Sequence, residues 1–490
     1  MYKARMTAWK ERLPQIIQGG MGIGVSNHRL ARAVALAGGL GVVSGTAIDT
    51  VMVRRLGLGD PGGEIRRALA SFPFPGVAER ILRAYFVPGG KAERAPFRLL
   101  PLPGLKMSAE RLELIVAANY VEVSLAKEGH DHPIGVNYLE KIQAPTLASL
   151  LGAVLAGADV VLMGAGIPTQ IPRAITRLAE WQPAELRVAL AGARSEPFTQ
   201  RLDPRELFGE APPSLAPPRF VAIVSSHVVA KVLLKKASGP IDGFVVEHHT
   251  AGGHNAPPRK GSGYAALDEP DLAELRRLGV PFWLAGGRAS PAKLREALDA
   301  GAAGVQVGTA FAYCEESGVT SEIKREIVSR ARQQRLRVIT DFQASPTGYP
   351  FKIVVKGDDV AAELEPLRGR ARVCDLGYLR QAVVLDDGSI AYRCPSEPGR
   401  AYTQKGGADE DTTNKLCLCN QLLATVGLGQ PRGAAPSLEA HEPGRARTEA
   451  TGGELPLLTA GEEIGQIARY LRPGAASYRA ADVMNALLSS

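Results

Sequence analysis

The sequence predicts an α/β fold, a (β/α)8 TIM barrel with insertions and a C-terminal α+β extension. Eight short apolar runs recur along the chain, helix-capable segments lie between most of them, and glycines follow many of the runs. Such alternation is typical of a parallel sheet surrounded by helices. A doubly wound open sheet is the alternative, but no Gly-x-Gly-x-x-Gly motif follows an early strand.

The eight predicted strands are short and apolar, as strands buried on both faces are. In chain order they are residues 15–18, 40–44, 133–139, 159–163, 220–225, 243–246, 282–284 and 305–307. The predicted helices carry apolar residues at helical spacing. They are residues 27–37, 146–156, 170–180, 227–236, 271–278 and 291–300. Because the strands number eight, we expect them to close into a barrel.

Residues 1–345 are predicted to form the barrel, with a helical insertion at about 50–130, and residues 346–490 to form the C-terminal extension. A second long connection covers residues 183–219. In the extension, residues 382–392 predict a hairpin across Asp386-Asp387-Gly388. Residues 431–453 are rich in Gly, Pro, Ala and charge, which predicts a mobile linker.

The composition and charge of the chain limit the kinds of molecule that it is expected to bind. The formal net charge of +8 comes from scattered basic residues with no Lys/Arg block among aromatics, so nucleic-acid binding is not expected. A diffuse positive field would also favour an anionic substrate or a phosphate-bearing cofactor. There is no run of eighteen apolar residues, and the first thirteen residues contain no apolar core. The chain is therefore expected to be cytoplasmic, without a membrane partner.

Glycines and small polar residues follow the last two predicted strands. Gly286 and Gly287 come after the seventh, and Gly308 and Thr309 after the eighth. A barrel commonly binds phosphate at these two positions, through backbone N–H groups and the positive end of a following helix. One such turn alone would be unremarkable, but two at the phosphate positions indicate a phosphate site.

The sixth strand leads into the segment Ala251-Gly252-Gly253-His254. Glycines allow a backbone to approach a flat ligand closely, and a histidine beside them can donate, accept or carry a proton near neutral pH. A glycine-bearing loop with one surface histidine is the simpler interpretation. The other strand ends, which are also rich in glycine, favour a functional site.

Several motifs together resemble the nitronate monooxygenase family, formerly called 2-nitropropane dioxygenases, over roughly residues 12–350. They are Gln18-Gly19-Gly20-Met21-Gly22, Gly135-Val136-Asn137, Ala251-Gly252-Gly253-His254, Ala285-Gly286-Gly287 and Gln306-Val307-Gly308-Thr309. The resemblance implies an FMN-dependent TIM barrel in which His254 serves the chemistry. It also implies a set of cofactor-binding residues, namely Gly20, Met21, Asn137, Gly252, Gly253, Ala285, Gly286, Gly287, Gln306, Gly308 and Thr309.

The reaction implied by the resemblance is oxidation of alkyl nitronates with O2 to a carbonyl compound and nitrite. His254 would act either as the base for the α-proton of a neutral nitroalkane or as a cationic partner for the nitronate. A related family offers an alternative: NAD(P)H-dependent FMN reductases of enoyl thioesters, such as enoyl-acyl-carrier-protein reductases, or of quinones. A homodimer is possible, and a binding module with structural FMN is the non-enzymatic alternative.

Four cysteines fall in the C-terminal third: Cys374, Cys394, Cys417 and Cys419. Their spacing contains no Cys-x-x-Cys and matches common zinc ribbons and iron–sulfur runs poorly. Free buried thiols are therefore favoured over a structural metal, and no metal is assigned to the catalytic site.

Overall fold

The structure, a computed structural model, describes residues 13–192, 196–432 and 453–489. Its strands are numbered in chain order. They are β1 (Ile16–Gln18), β2 (Gly41–Ser44), β3 (Ile134–Leu139), β4 (Val160–Gly164), β5 (Ala184–Val188), β6 (Phe198–Leu202), β7 (Arg219–Val224), β8 (Gly243–Glu247), β9 (Phe282–Ala285), β10 (Gly304–Val307), β11 (Arg337–Asp341), β12 (Phe351–Val355), β13 (Gln381–Val384) and β14 (Ile390–Arg393).

Eight of these strands form one parallel sheet in the order β1-β10-β9-β8-β7-β4-β3-β2. The two edges meet, because the N–H of Gln18 donates to the carbonyl of Leu40 at 3.0 Å and that of Leu40 to Ile16 at 2.9 Å. The sheet is therefore a closed barrel, and the predicted (β/α)8 fold is confirmed. All eight predicted strands are present, and none of their bounds differs from the prediction by more than one residue.

Helices surround the barrel. Their buried faces carry the apolar residues from which the sequence predicted them. The α-helices of the barrel and its two long connections are His28–Leu36, Ile48–Gly57, Glu64–Ala70, Pro75–Tyr85, Ala109–Lys127, Thr146–Leu155, Ile171–Ala179, Pro204–Phe208, His227–Lys236, Leu272–Arg277, Pro291–Asp299, Thr309–Ala312 and Ser321–Arg332. Those that follow are Val360–Arg368, Gly399–Thr403, Leu418–Thr425 and Ala480–Leu488, and short 3-10 helices cover Ala266–Asp268, Asp409–Thr412 and Glu462–Tyr470.

The helix Ala480–Leu488 packs against two barrel helices, His28–Leu36 and Pro291–Asp299. Its buried residues Val483 and Met484 belong to the same apolar core as Val34 and Leu294. These are the helices of the first and seventh barrel units. The last helix of the described chain therefore fills the place in the outer ring that the eighth unit leaves open.

The two long connections and the extension carry small antiparallel hairpins. The pair β5 and β6 lies in the second connection, where the sequence predicted only an exceptionally long loop. The hairpin predicted across residues 382–392 is present as β13 and β14. The pair β11 and β12 was not predicted. It spans the boundary proposed at residues 345 and 346, and that boundary stays a prediction.

The linker predicted over residues 431–453 lies, apart from its ends, outside the described residues. Among the helices that the structure describes, none is both long and apolar enough to cross a membrane. The cytoplasmic location and the homodimer stay predictions.

Candidate active site

A cavity of about 740 Å³ opens at the carboxyl ends of the barrel strands. Every site residue predicted from the sequence lines it, namely Gly20, Met21, Asn137, Gly252, Gly253, His254, Ala285, Gly286, Gly287, Gln306, Gly308 and Thr309. Parallel strands bring these residues together because their carboxyl ends all point to the same face of the barrel. The roles assigned to them stay proposals.

The end of the cavity at β9 and β10 contains the two turns for which the sequence predicts phosphate binding, and it is called the phosphate cradle below. Gly286 and Gly287 both have positive φ, 91° and 64°, which lets the chain turn sharply after β9. A Cβ added at Gly308 would meet only the side chain of Met21, with 3.6 Å to its Sδ. Space at Gly308 is therefore open toward the cavity, and Thr309 begins the short helix behind it.

A segment from the extension, Thr459–Gly461, closes this end of the cavity. Gly253 donates its N–H to Thr459 Oγ1 at 2.8 Å, and Gly461 donates to Thr309 Oγ1 at 2.8 Å. A Cβ added at Gly252 would lie 2.7 Å from the carbonyl carbon of Ala460. The close approach at Gly252 is thus made by the protein's own backbone, whereas Gly253 has nothing within 4 Å of its Cβ position.

Three amide oxygens of residues that line the cavity have no hydrogen-bond partner in the described structure. They are Asn137 Oδ1, Asn255 Oδ1 and Gln306 Oε1, all buried. The other end of the Asn137 amide is held, since Nδ2 donates to the carbonyl of Gly20 at 3.1 Å. A buried acceptor without a partner is costly, so these oxygens indicate a ligand that offers N–H or O–H donors.

The imidazole of His254 is held between the barrel and the hairpin of β11 and β12. Its Nε2 lies 2.7 Å from the hydroxyl of Ser345, and its ring meets Phe351 edge-on at 5.0 Å between centroids. Burial, with a contribution from the positive charge of Lys141, lowers the pKa of His254 to about 4. The ring is therefore neutral at pH 7, which favours the base over the cationic partner.

Ser345 is itself fixed, so the orientation of the imidazole is set by more than one contact. The Ser345 hydroxyl lies 2.8 Å from Thr347 Oγ1. Lys141 donates to the Thr347 carbonyl at 3.2 Å, and its ammonium sits 3.6 Å from the centre of the Tyr349 ring. This network was missed from the sequence, because no local pattern connects residues 141, 254 and 345.

Glu247 is a second group that the site prediction omitted. It ends β8 and lines the cavity. Burial raises the pKa of its carboxyl to about 8. The sequence held a signal, since a carboxylate directly after four apolar strand residues faces the ligand end of a barrel. A carboxyl that stays protonated near neutral pH can donate a hydrogen bond as well as accept one.

Glu463 lies at the phosphate end and was also missed. Its Oε2 accepts from the N–H of Ala289 at 3.3 Å. Burial raises the pKa of this carboxyl, while the Ala289 N–H and the charges of Arg469 and Arg288 oppose that rise. The Ala289 N–H precedes the helix Pro291–Asp299, whose N-terminus favours an anion.

Comparison with known proteins supports the resemblance seen in the motifs. Residues 218–384 match the sequence model of the family described as Nitronate monooxygenase. The chain is 28% identical over 169 residues to the Nitronate monooxygenase of Pseudomonas aeruginosa, covering 34% of this chain and 47% of that protein. The resemblance to the nitronate monooxygenase family is confirmed over these residues.

A second relative is the (3aS,4S,5R,7aS)-5-hydroxy-7a-methyl-1-oxo-octahydro-1H-indene-4-carboxyl-CoA dehydrogenase of Rhodococcus jostii. It is 29% identical over 237 residues, which cover 46% of this chain and 63% of that protein. The chain thus spans less than two thirds of the length of either curated relative. The structure of FabK from Thermotoga maritima is similar at 16% identity and a TM-score of 0.49, covering 99% of this chain and 94% of that one.

Proposed function

We propose that the chain is an FMN-dependent oxidoreductase of the nitronate monooxygenase type, which oxidises alkyl nitronates with O2 to a carbonyl compound and nitrite. The observation that carries the proposal is the convergence, in one cavity, of two glycine turns at the phosphate positions and a buried neutral imidazole. Each feature alone is common. Together they suit a phosphate-anchored flavin with a proton-transferring group beside its substrate.

The residues present fit the cofactor. The turn of Gly286 and Gly287, with Gly308 and Thr309, would hold the phosphate through backbone N–H groups. The unpartnered oxygens of Asn137 and Gln306 would accept hydrogen bonds from the flavin, which carries both N–H and O–H donors. Bound there, the flavin supplies the electron-transfer chemistry that no side chain can provide.

His254 is the group that would move a proton. Because its pKa is about 4, its imidazole is free to accept the α-proton of a neutral nitroalkane at pH 7. Because Nε2 is hydrogen-bonded to the hydroxyl of Ser345, Nδ1 is the ring nitrogen left to accept the proton. A nitronate supplied as the anion has already lost that proton, so the need for His254 should be greatest with the neutral substrate.

Glu247 would assist by hydrogen bonding. Its carboxyl has a pKa of about 8 and is therefore mostly protonated at pH 7. In that form it donates a hydrogen bond to an anionic oxygen, such as a nitronate oxygen, without the repulsion that a carboxylate would exert.

The test is spectroscopic and kinetic. The purified chain should show flavin absorbance, release FMN on denaturation, and form nitrite from an alkyl nitronate in air. It should be indifferent to NADH and NADPH under anaerobic conditions. Protein that binds no flavin under any loading condition contradicts the proposal, and flavin-bound protein that forms no nitrite contradicts the nitronate substrate.

A second candidate is an NAD(P)H-dependent reductase of enoyl thioesters or quinones. Two observations favour it: the cavity, at about 740 Å³, is large and lined mainly by apolar residues, and the Rhodococcus relative carries a CoA thioester in its name. Here His254 would act as a proton donor to a substrate carbon. Rapid anaerobic bleaching of the flavin by NADH or NADPH supports this candidate, and no bleaching opposes it.

A further inference from the structure

The four cysteines of the C-terminal third converge on one small buried pocket, although they come from separate parts of the chain. Cys374 precedes β13 and Cys394 follows β14, while Cys417 caps the helix Leu418–Thr425 and Cys419 lies in its first turn. All four line the same pocket, which is called the cysteine pocket below. None of them forms a disulfide.

Each sulfur of the cysteine pocket receives a hydrogen-bond donor. The Asn420 side-chain amide donates to Cys417 Sγ at 3.6 Å. The other donors are backbone N–H groups, from Gly377 to Cys374, from Ser396 to Cys394 and from Leu379 to Cys419. Cysteine sulfurs that bind a metal accept hydrogen bonds of this kind, which orient the ligands and tune the centre.

Burial raises the pKa of the Cys374, Cys394 and Cys419 thiols, and nearby positive charges partly oppose that effect. Arg380 acts on Cys374, Arg370 on Cys417 and Lys415 on Cys394 through their positive charges. The acidic neighbour is Glu397, whose carboxylate is already paired with Lys405 at 2.8 Å. Four thiolates in one pocket would still repel each other strongly, and the usual solution in proteins is a bound metal cation.

We propose that the four residues of the cysteine pocket ligate a thiophilic metal centre, either a zinc ion or an iron–sulfur cluster. Both share the chemistry of four cysteine thiolates. The distances between the sulfur atoms help to decide between them, because no three of the four cysteines have sulfur atoms that all lie within 4.8 Å of one another. Zinc at a Zn–S distance of about 2.3 Å would draw the sulfurs closer. A [4Fe–4S] cluster binds each cysteine to a different iron atom and tolerates wider spacing.

The position of the cysteine pocket gives the centre a consequence for the active site. Leu379, Leu418 and Cys419 line both the cysteine pocket and the large cavity. The helix Leu418–Thr425 also supplies Leu422 and Thr425 to the cavity wall. A zinc ion would therefore fix one wall of the active site, whereas a cluster would place a redox centre next to it.

Elemental analysis of the full chain, purified anaerobically from metal-replete medium, tests the proposal. We expect about one zinc ion, or about two to four iron atoms with matching acid-labile sulfide, per chain. A broad visible band that bleaches with dithionite after removal of any flavin identifies the cluster, and its absence with stoichiometric zinc identifies the ion. Neither metal in stoichiometric amount overturns the proposal.

Single substitutions test whether these cysteines are the residues that bind the metal. Cys374→Ser and Cys419→Ser should lose it, whereas Cys314→Ser, which changes a buried cysteine outside the pocket, should retain it. Metal retained in full by both pocket variants overturns the assignment. If the pocket variants do not fold, the metal content of the unaltered chain still decides, since it needs no substitution. The measurement is independent of whether the barrel binds a flavin.

Discussion

The backbone N–H of Gly461 donates to the side-chain oxygen of Thr309 at 2.8 Å, although 152 residues separate them. The contact ties the extension to the first residue of the short helix behind the phosphate cradle. Thr309 Oγ1 is therefore already engaged by the protein, and the part of the cradle that remains free is mainly backbone. Integrity of the cradle should depend on the fit of the segment Thr459–Gly461.

Gly252→Ala tests that fit. Its added Cβ would lie 2.7 Å from Ala460 and 2.8 Å from the nitrogen of Gly461, so one of the two segments must move. We expect a loss of about 1–3 kcal/mol in the free energy of unfolding, the usual cost of overpacking, and weaker flavin retention. Gly263→Ala is the control, because nothing lies within 4 Å of its Cβ position. Equal stability of the two variants in urea denaturation would contradict the prediction.

Gly308→Asp tests the phosphate assignment. Space at Gly308 is open, so the fold should tolerate the change, but a carboxylate there would repel a phosphate. We expect the protein to remain folded by circular dichroism and to lose most of its bound flavin. Gly308→Ala, which adds only a methyl group in contact with Met21, should retain more. Full flavin content in the aspartate variant would remove Gly308 from the phosphate site.

His254→Asn should leave the flavin bound and reduce turnover of a neutral nitroalkane by roughly two to four decades, the scale of general acid–base catalysis. The reduction should be smaller with a preformed nitronate, because the proton has already gone. His249→Asn is the matched control, since the His249 ring stacks on Tyr264 at 4.1 Å and does not line the cavity. Unchanged steady-state turnover in His254→Asn would exclude His254 from the chemistry.

The same histidine should make stability depend on pH. In the folded chain the pKa of His254 is about 4, whereas in the unfolded chain it is near 6.5. Between these values the unfolded state binds a proton that the folded state does not, so stability falls as pH falls, by up to about 1.4 kcal/mol per pH unit. In urea titrations from pH 7.5 to 4.5, the stability of the unaltered chain relative to His254→Asn should fall as pH falls, since other groups that titrate in this range act on both chains. The exposed His132→Asn should keep the original slope, and a wild-type slope in both would contradict the prediction.

The contribution of Glu247 to stability depends on pH in the opposite direction. Its pKa rises from 4.5 to about 8 on folding, so between these values the folded state holds a proton that the unfolded state has lost. The contribution of Glu247 to stability therefore declines as pH rises from 4.5 to 8, opposite to that of His254. Glu247→Gln, which resembles the protonated form, should remove that decline and unfold at higher urea than the unaltered chain at pH 8. Thermal or urea midpoints that fall in parallel for both chains would show that Glu247 does not titrate in this way.

The barrel could be predicted because its strands are continuous apolar runs and its helices have a clear period. Residues at strand ends, such as Gly286 and Gly308, could be assigned to one face because parallel strands end together. Ser345 could not, since its role depends on a hairpin from a different part of the sequence, whose Phe351 pairs with His254 in the segment after β8. Position in the sequence carries no information about such a contact until the fold is known.

The four cysteines show another limit of sequence spacing. Linear separation argued against a shared site, because metal motifs are usually recognised by pairs of close ligands. Here only Cys417 and Cys419 are close in sequence, and the hairpin of β13 and β14 brings Cys394 to them. A site assembled by tertiary structure therefore leaves little trace in the spacing.

The helix Ala480–Leu488, which packs between the first and seventh barrel helices, has a consequence for biosynthesis. During translation the barrel strands and helices are synthesised long before this helix. Until it is made, Val34 and Leu294 on the two flanking helices lack the residues that finally bury them. The apolar surfaces of these two helices should therefore stay exposed until residues 480–488 leave the ribosome. Stalled chains that stop short of this helix should be more sensitive to protease than chains that include it.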